Sequence, residues 1–325
     1  MRTSGSLPGS WRVKHDSVSP ELAKILYPKV LELASKGQGP VRIAKELSAV
    51  YQMSISPGTV RHWIVGDRNP QGGKVRNLFK QEPSPALSYI IGANIGDGCT
   101  LTDDWIVKLE VTDRDFAEAF NSSMAALFSR KTPNKILTKR FKVKRLPMYV
   151  VRYACKALVE LLRLPLRKLL EIAFRFPRDF LRGFFDAEGH VEVSGTKIFS
   201  MRVGATNTNR MLLLRIRRML KKKLGISSNI NRKRPAGSVM VIRGRTFALR
   251  RTSYELIISS RESVEKFAQE VGFGILRKSQ KVKDALFIIA RYEAKDRSDG
   301  WKRLYRKVRG EWVRRHWPGK EIKGY

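Results

Sequence analysis

The chain has 325 residues, with 65 Lys and Arg against 29 Asp and Glu, a formal charge of +36. Its 42% hydrophobic content is that of a packed protein of two or three domains, so the charge sits on folded surfaces and points to a polyanionic partner. Two cysteines without a CxxC spacing and four histidines exclude a disulfide scaffold and argue against a Cys/His zinc site; no run of 18 apolar residues offers a membrane span.

In chain order, residues 1–18 form a leader without apolar period or signal-peptide core. From Ser19 a helix is expected, with Pro20 and Glu21 in its first turn, Leu22, Ile25, Leu26, Val30, Leu31 and Leu33 as its apolar residues, and Gly37 as its stop. Pro28 should kink it or split it in two. VRIAKELSAVY gives a second helix with Ile43, Ala44, Leu47 and Val50 on one face. A third opens at Ser56 as N-cap and Pro57 as first helical residue, turning Val60, Trp63 and Ile64 inward. Three short helices over 19–66 make an all-α helix-turn-helix domain, in which Thr59, Arg61 and His62 are expected to face bases. Residues 67–82, holding Pro70, Gly72 and Gly73, form the linker.

Beyond the linker the chain repeats itself. LSYIIGANIGDGC (87–99) is echoed by DFLRGFFDAEGHV (179–191), pairing Gly92 with Gly183 and Asp97 with Glu188 at an offset of 91. KLEVTDRDF (108–116) matches RVGATNTNR (202–210) at 94, Tyr149 matches Tyr254 at 105, and Leu166-Arg167-Lys168 matches Leu276-Arg277-Lys278 at 110. Four matches in one order describe two copies of a helix-strand-strand-helix-strand-strand-helix unit.

Within each copy, small residues four apart, Gly92 and Gly96, then Gly183 and Ala187, let two helix backbones approach closely. Asp97 and Glu188 follow, and then Gly98 and Gly189, suited to end the helices in the left-handed conformation. Both acids then lie at helix C-termini, where the macrodipole disfavours a negative charge by about 0.3–1 kcal/mol. A divalent cation resolves that conflict: magnesium binds one or two carboxylates together with substrate phosphate oxygens, and the chemistry implied is phosphodiester hydrolysis.

IIGANIGDG (90–98) and LRGFFDAEG (181–189) resemble the two motif copies of monomeric LAGLIDADG homing endonucleases of the archaeal type, a resemblance covering about 87–290. It implies an α+β fold of pseudo-symmetric tandem αββαββα units over 83–175 and 176–290, with two four-stranded sheets astride DNA and the motif helices as the interface. It places the catalytic and metal-binding acids at Asp97 and Glu188, and adds the backbone carbonyls of Gly96 and Ala187 as ligands to magnesium. The first copy departs from the family pattern at Ile95, where the second has Asp186. The family's basic residue near each active site falls on Lys168 and Lys278, with Lys281 and Lys197 as rivals; His190 reads as a strand residue.

For DNA contact, alternation puts Arg140, Lys142 and Lys144 on one side of a strand in the first copy. Lys197, Arg202, Arg232, Arg234, Arg243, Arg245 and Arg250 lie on hairpins in the second. The basic, aromatic extension over 291–325 is either a further DNA clamp or an amphipathic helix docked on the body.

The expectation is a free-standing, site-specific enzyme that makes a staggered break in double-stranded DNA with magnesium, in a reducing, nucleoid-associated cytoplasmic setting. Free-standing follows from the ends and from the lack of a splicing-type His-Asn pair. Both halves lie in one chain, so a monomer suffices. The alternatives are a non-cleaving DNA-binding regulator and an intron RNA maturase on the same fold, against which the retention of both acids weighs.

Overall fold

The computed structural model describes residues 20–65, 82–140, 146–195, 198–242, 245–308 and 310–315. The chain divides into two compact units, Met1–Leu78 and Phe79–Tyr325. Among the described residues no helix is long and apolar enough to cross a membrane.

The first unit is α1 (Pro20–Ser35), α2 (Pro40–Val50) and α3 (Pro57–Val65) around a core of Leu26, Val30, Ile43, Ala44, Leu47, Ile55, Val60 and Trp63. Of the kink or split expected at Pro28 the split does not occur, and α1 runs through Pro28 as one element. A proline removes one helical hydrogen bond, and here buried Leu26 and Val30 on either side hold the two halves to one core. Gly37 ends the segment with a positive φ of 81°. Ser56 caps α3, its Oγ accepting the Thr59 N–H at 3.1 Å.

The second unit begins with α4 (Pro85–Gly96), capped by Ser84, whose hydroxyl accepts the Leu87 N–H at 3.2 Å. There follow β1 (Gly98–Leu101), β2 (Ile106–Val111), α5 (Arg114–Leu127), β3 (Leu137–Lys139), β4 (Met148–Ala154), α6 (Lys156–Leu162) and α7 (Leu166–Ala173). The series then restarts with α8 (Pro177–Glu188), β5 (Gly189–Gly195), β6 (Phe199–Asn207), α9 (Arg210–Leu224) and β7 (Asn229–Arg234). An inserted hairpin, β8 (Val239–Ile242) and β9 (Arg245–Ala248), precedes β10 (Ser253–Ile258), α10 (Arg261–Glu270) and α11 (Leu276–Arg291). Both sheets are antiparallel with the same order, β1-β2-β4-β3 and β5-β6-β10-β7, so the fold is α+β with tandem αββαββα units. The β8–β9 insertion accounts for the jump in repeat offset before Tyr254.

Two details depart from the sequence reading. The closing helix of each copy is broken in two. In the first the break falls at Pro165, which precedes α7, and in the second at the Gly272-Phe273-Gly274 turn before α11. The second strand of the second copy is also longer than the match at 94 implied: Gly98 pairs with Leu109 and Gly189 with Ala205, so β2 and β6 correspond at an offset of 96. The cap of α9 is Asn209, whose side chain accepts the Leu212 N–H at 3.1 Å.

Period-two alternation faces Val107, Leu109, Val151, Val191, Val193, Met201, Val203, Ala205, Leu256 and Ile258 to one continuous core that takes in both copies. The C-terminal extension joins that core. It folds into α12 (Arg297–Leu304) and a hairpin of β11 (Tyr305–Val308) and β12 (Glu311–Arg314), with Trp301 fully buried and stacked on Tyr305 at 3.9 Å. Buried Asp284 of α11 receives the Tyr305 hydroxyl at 2.8 Å and Arg314 Nε at 2.7 Å.

Candidate active site

The two motif helices touch through their glycines. A Cβ on Gly92 would lie 2.2 Å from the Phe180 carbonyl oxygen, and one on Gly183 2.2 Å from the Tyr89 carbonyl oxygen. One turn on, a Cβ on Gly96 would meet Ala187 Cβ at 2.5 Å and Glu188 Cγ at 3.0 Å. The spacing of small residues therefore does what was expected of it: α4 and α8 approach with backbone against backbone, and their C-terminal ends lie side by side.

Gly98 and Gly189 correct the sequence reading, because neither adopts a positive φ; Gly189 is extended at φ −81°, ψ 153°. Their requirement for glycine is steric. A Cβ at Gly98 would fall 2.5 Å from Asn94 Cα, and one at Gly189 2.3 Å from the Phe185 carbonyl oxygen. Each chain turns from helix into strand so sharply that a side chain would strike the last helical turn.

Asp97 is the C-cap of α4 and Glu188 the last residue of α8. Asp97 is solvent-accessible and Glu188 half-buried. Partial burial raises the Asp97 carboxyl above its ordinary range against the pull of Lys278, and Asp113 raises it further. Glu188 is pushed up to about 7, first by burial and then by the neighbouring charge of Asp97, while a 2.8 Å hydrogen bond from Asn207 Nδ2 and the charge of Lys278 oppose the rise. Two carboxyls thus share one electrostatic site at adjoining helix ends.

Lys278 enters that site from α11. It is only 7% exposed, and its Nζ donates to the carbonyl oxygens of Asp186 at 2.7 Å and Phe185 at 3.3 Å, the last turn of α8. Burial lowers it to about 8 against the pull of Asp186, Asp113 and Asp97. Lys168, its counterpart in the repeat, is exposed on α7. Lys281 is partly buried and lowered, chiefly by burial, with Glu311 and Glu192 acting against the shift. The sequence reading missed Asp186 as a functional support. It is buried, accepts the Tyr89 hydroxyl at 2.9 Å and the Gly274 N–H at 2.8 Å, and rises by burial to about 6.

The outer faces of the sheets carry the charged residues that alternate with the core. On the first sheet Lys108 and Lys139 both bond Glu110, at 3.1 and 2.9 Å. On the second, Arg202 pairs with Glu192 across the strands, and Lys233 reaches buried Glu255 at 2.5 Å and Thr206 at 3.1 Å. Lys108, Lys139 and Lys233 were not singled out beforehand, although IVKLEV alternates plainly enough to mark Lys108. Arg232 pairs with Tyr254, whose ring packs toward the core, so it shares that side, exposed on this edge strand, while Asn231, opposite Glu255, and Lys233 take the outer side. Arg234, Arg250 and Arg140 are exposed, the last just beyond β3. Lys142, Lys144, Lys197 and Arg243 lie outside the described residues, as does the side chain of Arg245.

In the first unit Arg61 is exposed and His62 partly so, but Thr59 is 6% exposed with its hydroxyl 3.0 Å from Ser56 Oγ. Thr59 is therefore part of the helix cap and does not face outward as expected. His190, Glu192 and Glu255 bring ligand atoms within 4.8 Å of one another on the outer face of the second sheet. Arg202 and Lys233 pair with the two glutamates there, so the cluster is also an ion-pair network.

A family model described as a LAGLIDADG-like domain matches residues 175–272, the second copy. The uncharacterized protein MJ0398 of Methanocaldococcus jannaschii is 30% identical over 249 residues, spanning 75% of this chain and 87% of that protein. Among solved structures, the homing endonuclease I-DmoI in complex with DNA and calcium is similar at 18% identity and a TM-score of 0.42, over 62% of this chain and 99% of that one. Full-length DUF199/WhiA from Thermatoga maritima is similar at 14% identity and a TM-score of 0.40, over 70% and 68%. The chain belongs to the family of the M. jannaschii protein MJ0398 and carries a LAGLIDADG-like domain.

Proposed function

We propose that the protein is a site-specific endonuclease of double-stranded DNA, of the homing type, that hydrolyses one phosphodiester per strand and leaves a staggered break. The observation that carries this reading is the junction of α4 and α8, where Asp97 and Glu188 are brought together against their own repulsion with Lys278 beside them. Stability alone gives no reason for two acids at adjoining helix C-termini.

The donor set fits a hard divalent cation: an exposed and a half-buried carboxylate, both raised above their ordinary range by burial, and helix-end carbonyls at Gly96 and Ala187. Magnesium held there supplies Lewis-acid stabilisation of a phosphoryl oxygen and a more acidic water. The chain's own share is to fix the two carboxylates, one per strand, and to hold a cation in place without reorganisation. Lys278 spends two of its three N–H groups on the carbonyls of Phe185 and Asp186, which leaves the third for a phosphate oxygen in the transition state. The outer sheet faces, with Lys108, Lys139, Arg202 and Lys233, grip the backbone and read bases. Arg61 and His62 of the three-helix unit add a second DNA contact of helix-turn-helix type. Two half-sites within one chain make a monomer sufficient.

The test is incubation of the protein with a randomised duplex pool in magnesium and in EDTA, with gel shifts in calcium alongside. Double-strand cuts at a recurring sequence in magnesium alone are expected. Tight DNA binding without cutting in any divalent metal overturns the enzyme and leaves a regulator, and preferential binding of structured RNA would instead favour a maturase.

A further inference from the structure

The two lysines that close the repeated Leu-Arg-Lys end in opposite places: Lys278 is buried against the end of α8, and Lys168 is exposed. The helices that carry them open with the same three residues, so the difference arises in the turn before each helix.

In the second copy that turn is tied down. Asp186 Oδ1 accepts the N–H groups of Gly274 at 2.8 Å and Ile275 at 3.4 Å, and its other oxygen is held by the Tyr89 hydroxyl at 2.9 Å. The turn lies so close that a Cβ on Gly274 would sit 2.7 Å from Asp186 Oδ2. The first copy lends further support, Asp115 accepting the Leu276 N–H at 2.5 Å and Asp113 clasping Arg277 at 2.7 and 2.8 Å. Lys278 is the third residue of α11, and with the turn fixed its ammonium lands on the carbonyl of Asp186 itself. In the first copy the latch is absent. Ile95 stands in place of Asp186 and offers no acceptor, Pro165 stands in place of Ile275 and has no N–H to give, and the N–H of Leu164, in place of Gly274, goes to the Leu161 carbonyl at 3.0 Å.

We propose that Asp186 is a positioning residue that, steadied by Tyr89, seats Lys278 at the motif-helix junction, so that a single lysine serves both Asp97 and Glu188. The kinetic part of this rests on the nuclease reading; the seating of Lys278 does not.

The experiment is therefore in two parts on the full chain. First, brief acylation with acetic anhydride and mass spectrometry reads each lysine. In the wild-type protein Lys278 should label at least tenfold more slowly than Lys168. Asp186→Ile, which installs the residue of the first copy, should bring Lys278 to the rate of Lys168, and Asp186→Asn, which keeps an acceptor for Gly274, should leave it protected. Should Asp186→Ile fail to fold, Gly274→Ala pushes the turn off the carboxylate and should release Lys278 in the same way. Lys278 remaining protected in a folded Asp186→Ile or Gly274→Ala protein overturns the proposal.

Second, in cleavage assays Asp186→Ile should lower kcat as far as Lys278→Met does, with KM unchanged, and the double variant should be no slower than Lys278→Met alone. Multiplying losses would show Asp186 acting by another route and overturn it. A wild-type protein that protects Lys278 yet cuts nothing counts against the nuclease reading alone.

Discussion

Gly92 and Gly183 set how near the two acids can come, because each presents bare backbone to the other helix. Gly183→Ala inserts a methyl 2.2 Å from a carbonyl oxygen that has no room to retreat. The expected loss is about 3 kcal/mol or more, beyond the usual cost of overpacking because both partners are backbone. Urea unfolding checks it, and a loss under about 1 kcal/mol would show that the helices slide apart freely. Glu188 gives a pH signature. Folded, its carboxyl titrates at about 7 rather than 4.5, so between those values the folded state keeps a proton that the unfolded chain has lost. The metal-free protein therefore loses stability as pH rises from about 4.5 to about 7, by roughly 1–3 kcal/mol after allowance for its partial exposure. Asp186, titrating at about 6, acts in the same direction. Thermal melts in EDTA should show that slope, flattened in Glu188→Gln, and magnesium should stabilise the wild type more at pH 8 than at pH 5. A slope of opposite sign contradicts the assignment. At this scale the residues that meet at the candidate site were legible, since Asp97, Glu188 and Lys278 are marked by repetition. Asp186 was not, because its partner N–H groups are 88 residues away and leave no local pattern.

Elements were legible where their signal was local. Caps at Ser56, Ser84 and Ser260, and the two-residue alternation of β2 and β5, follow directly from residue type. Ser56→Ala should cost the three-helix unit about 1 kcal/mol, read as a lower melting temperature of that unit. What escaped was decided by packing. The strand leading into α9 is three residues longer than β2, nine against six, and the ladder registers Gly189 against Ala205, while alternation from Ile230 puts Arg232 on the side of Tyr254 and Lys233 on the outer side with Glu255. The C-terminal extension is the clearest instance. Its dense Lys and Arg suggested either a clamp or a docked helix, whereas its aromatic residues close a core: Trp301 is fully buried beside Phe199, Tyr305 and Trp312. Trp301→Ala should cost about 3–5 kcal/mol and free the hairpin to proteases. Full stability in that variant would mean the extension contributes nothing to the second unit.

At the scale of the whole molecule, one unit doubled within a single chain produces two acids of different identity, Asp97 and Glu188, and, among the described residues, one buried lysine, Lys278, against the end of α8. The asymmetry is chemical as well as geometric, and on the proposed reading it suits an asymmetric DNA target. A charge of +36 spread along the whole length predicts DNA affinity that falls steeply with salt, and Lys108→Ala with Lys233→Ala should lower the slope of log K against log salt by about 2 if each neutralises one phosphate. On the proposed reading each acid serves one strand. Its most direct test is strand-resolved cleavage of a selected duplex in magnesium by the wild type, Asp97→Asn and Glu188→Gln, with binding in calcium as control. Double-strand cuts by the wild type and a nick or no product from each variant, at unchanged affinity, are expected. A full double-strand break from either single variant would contradict it.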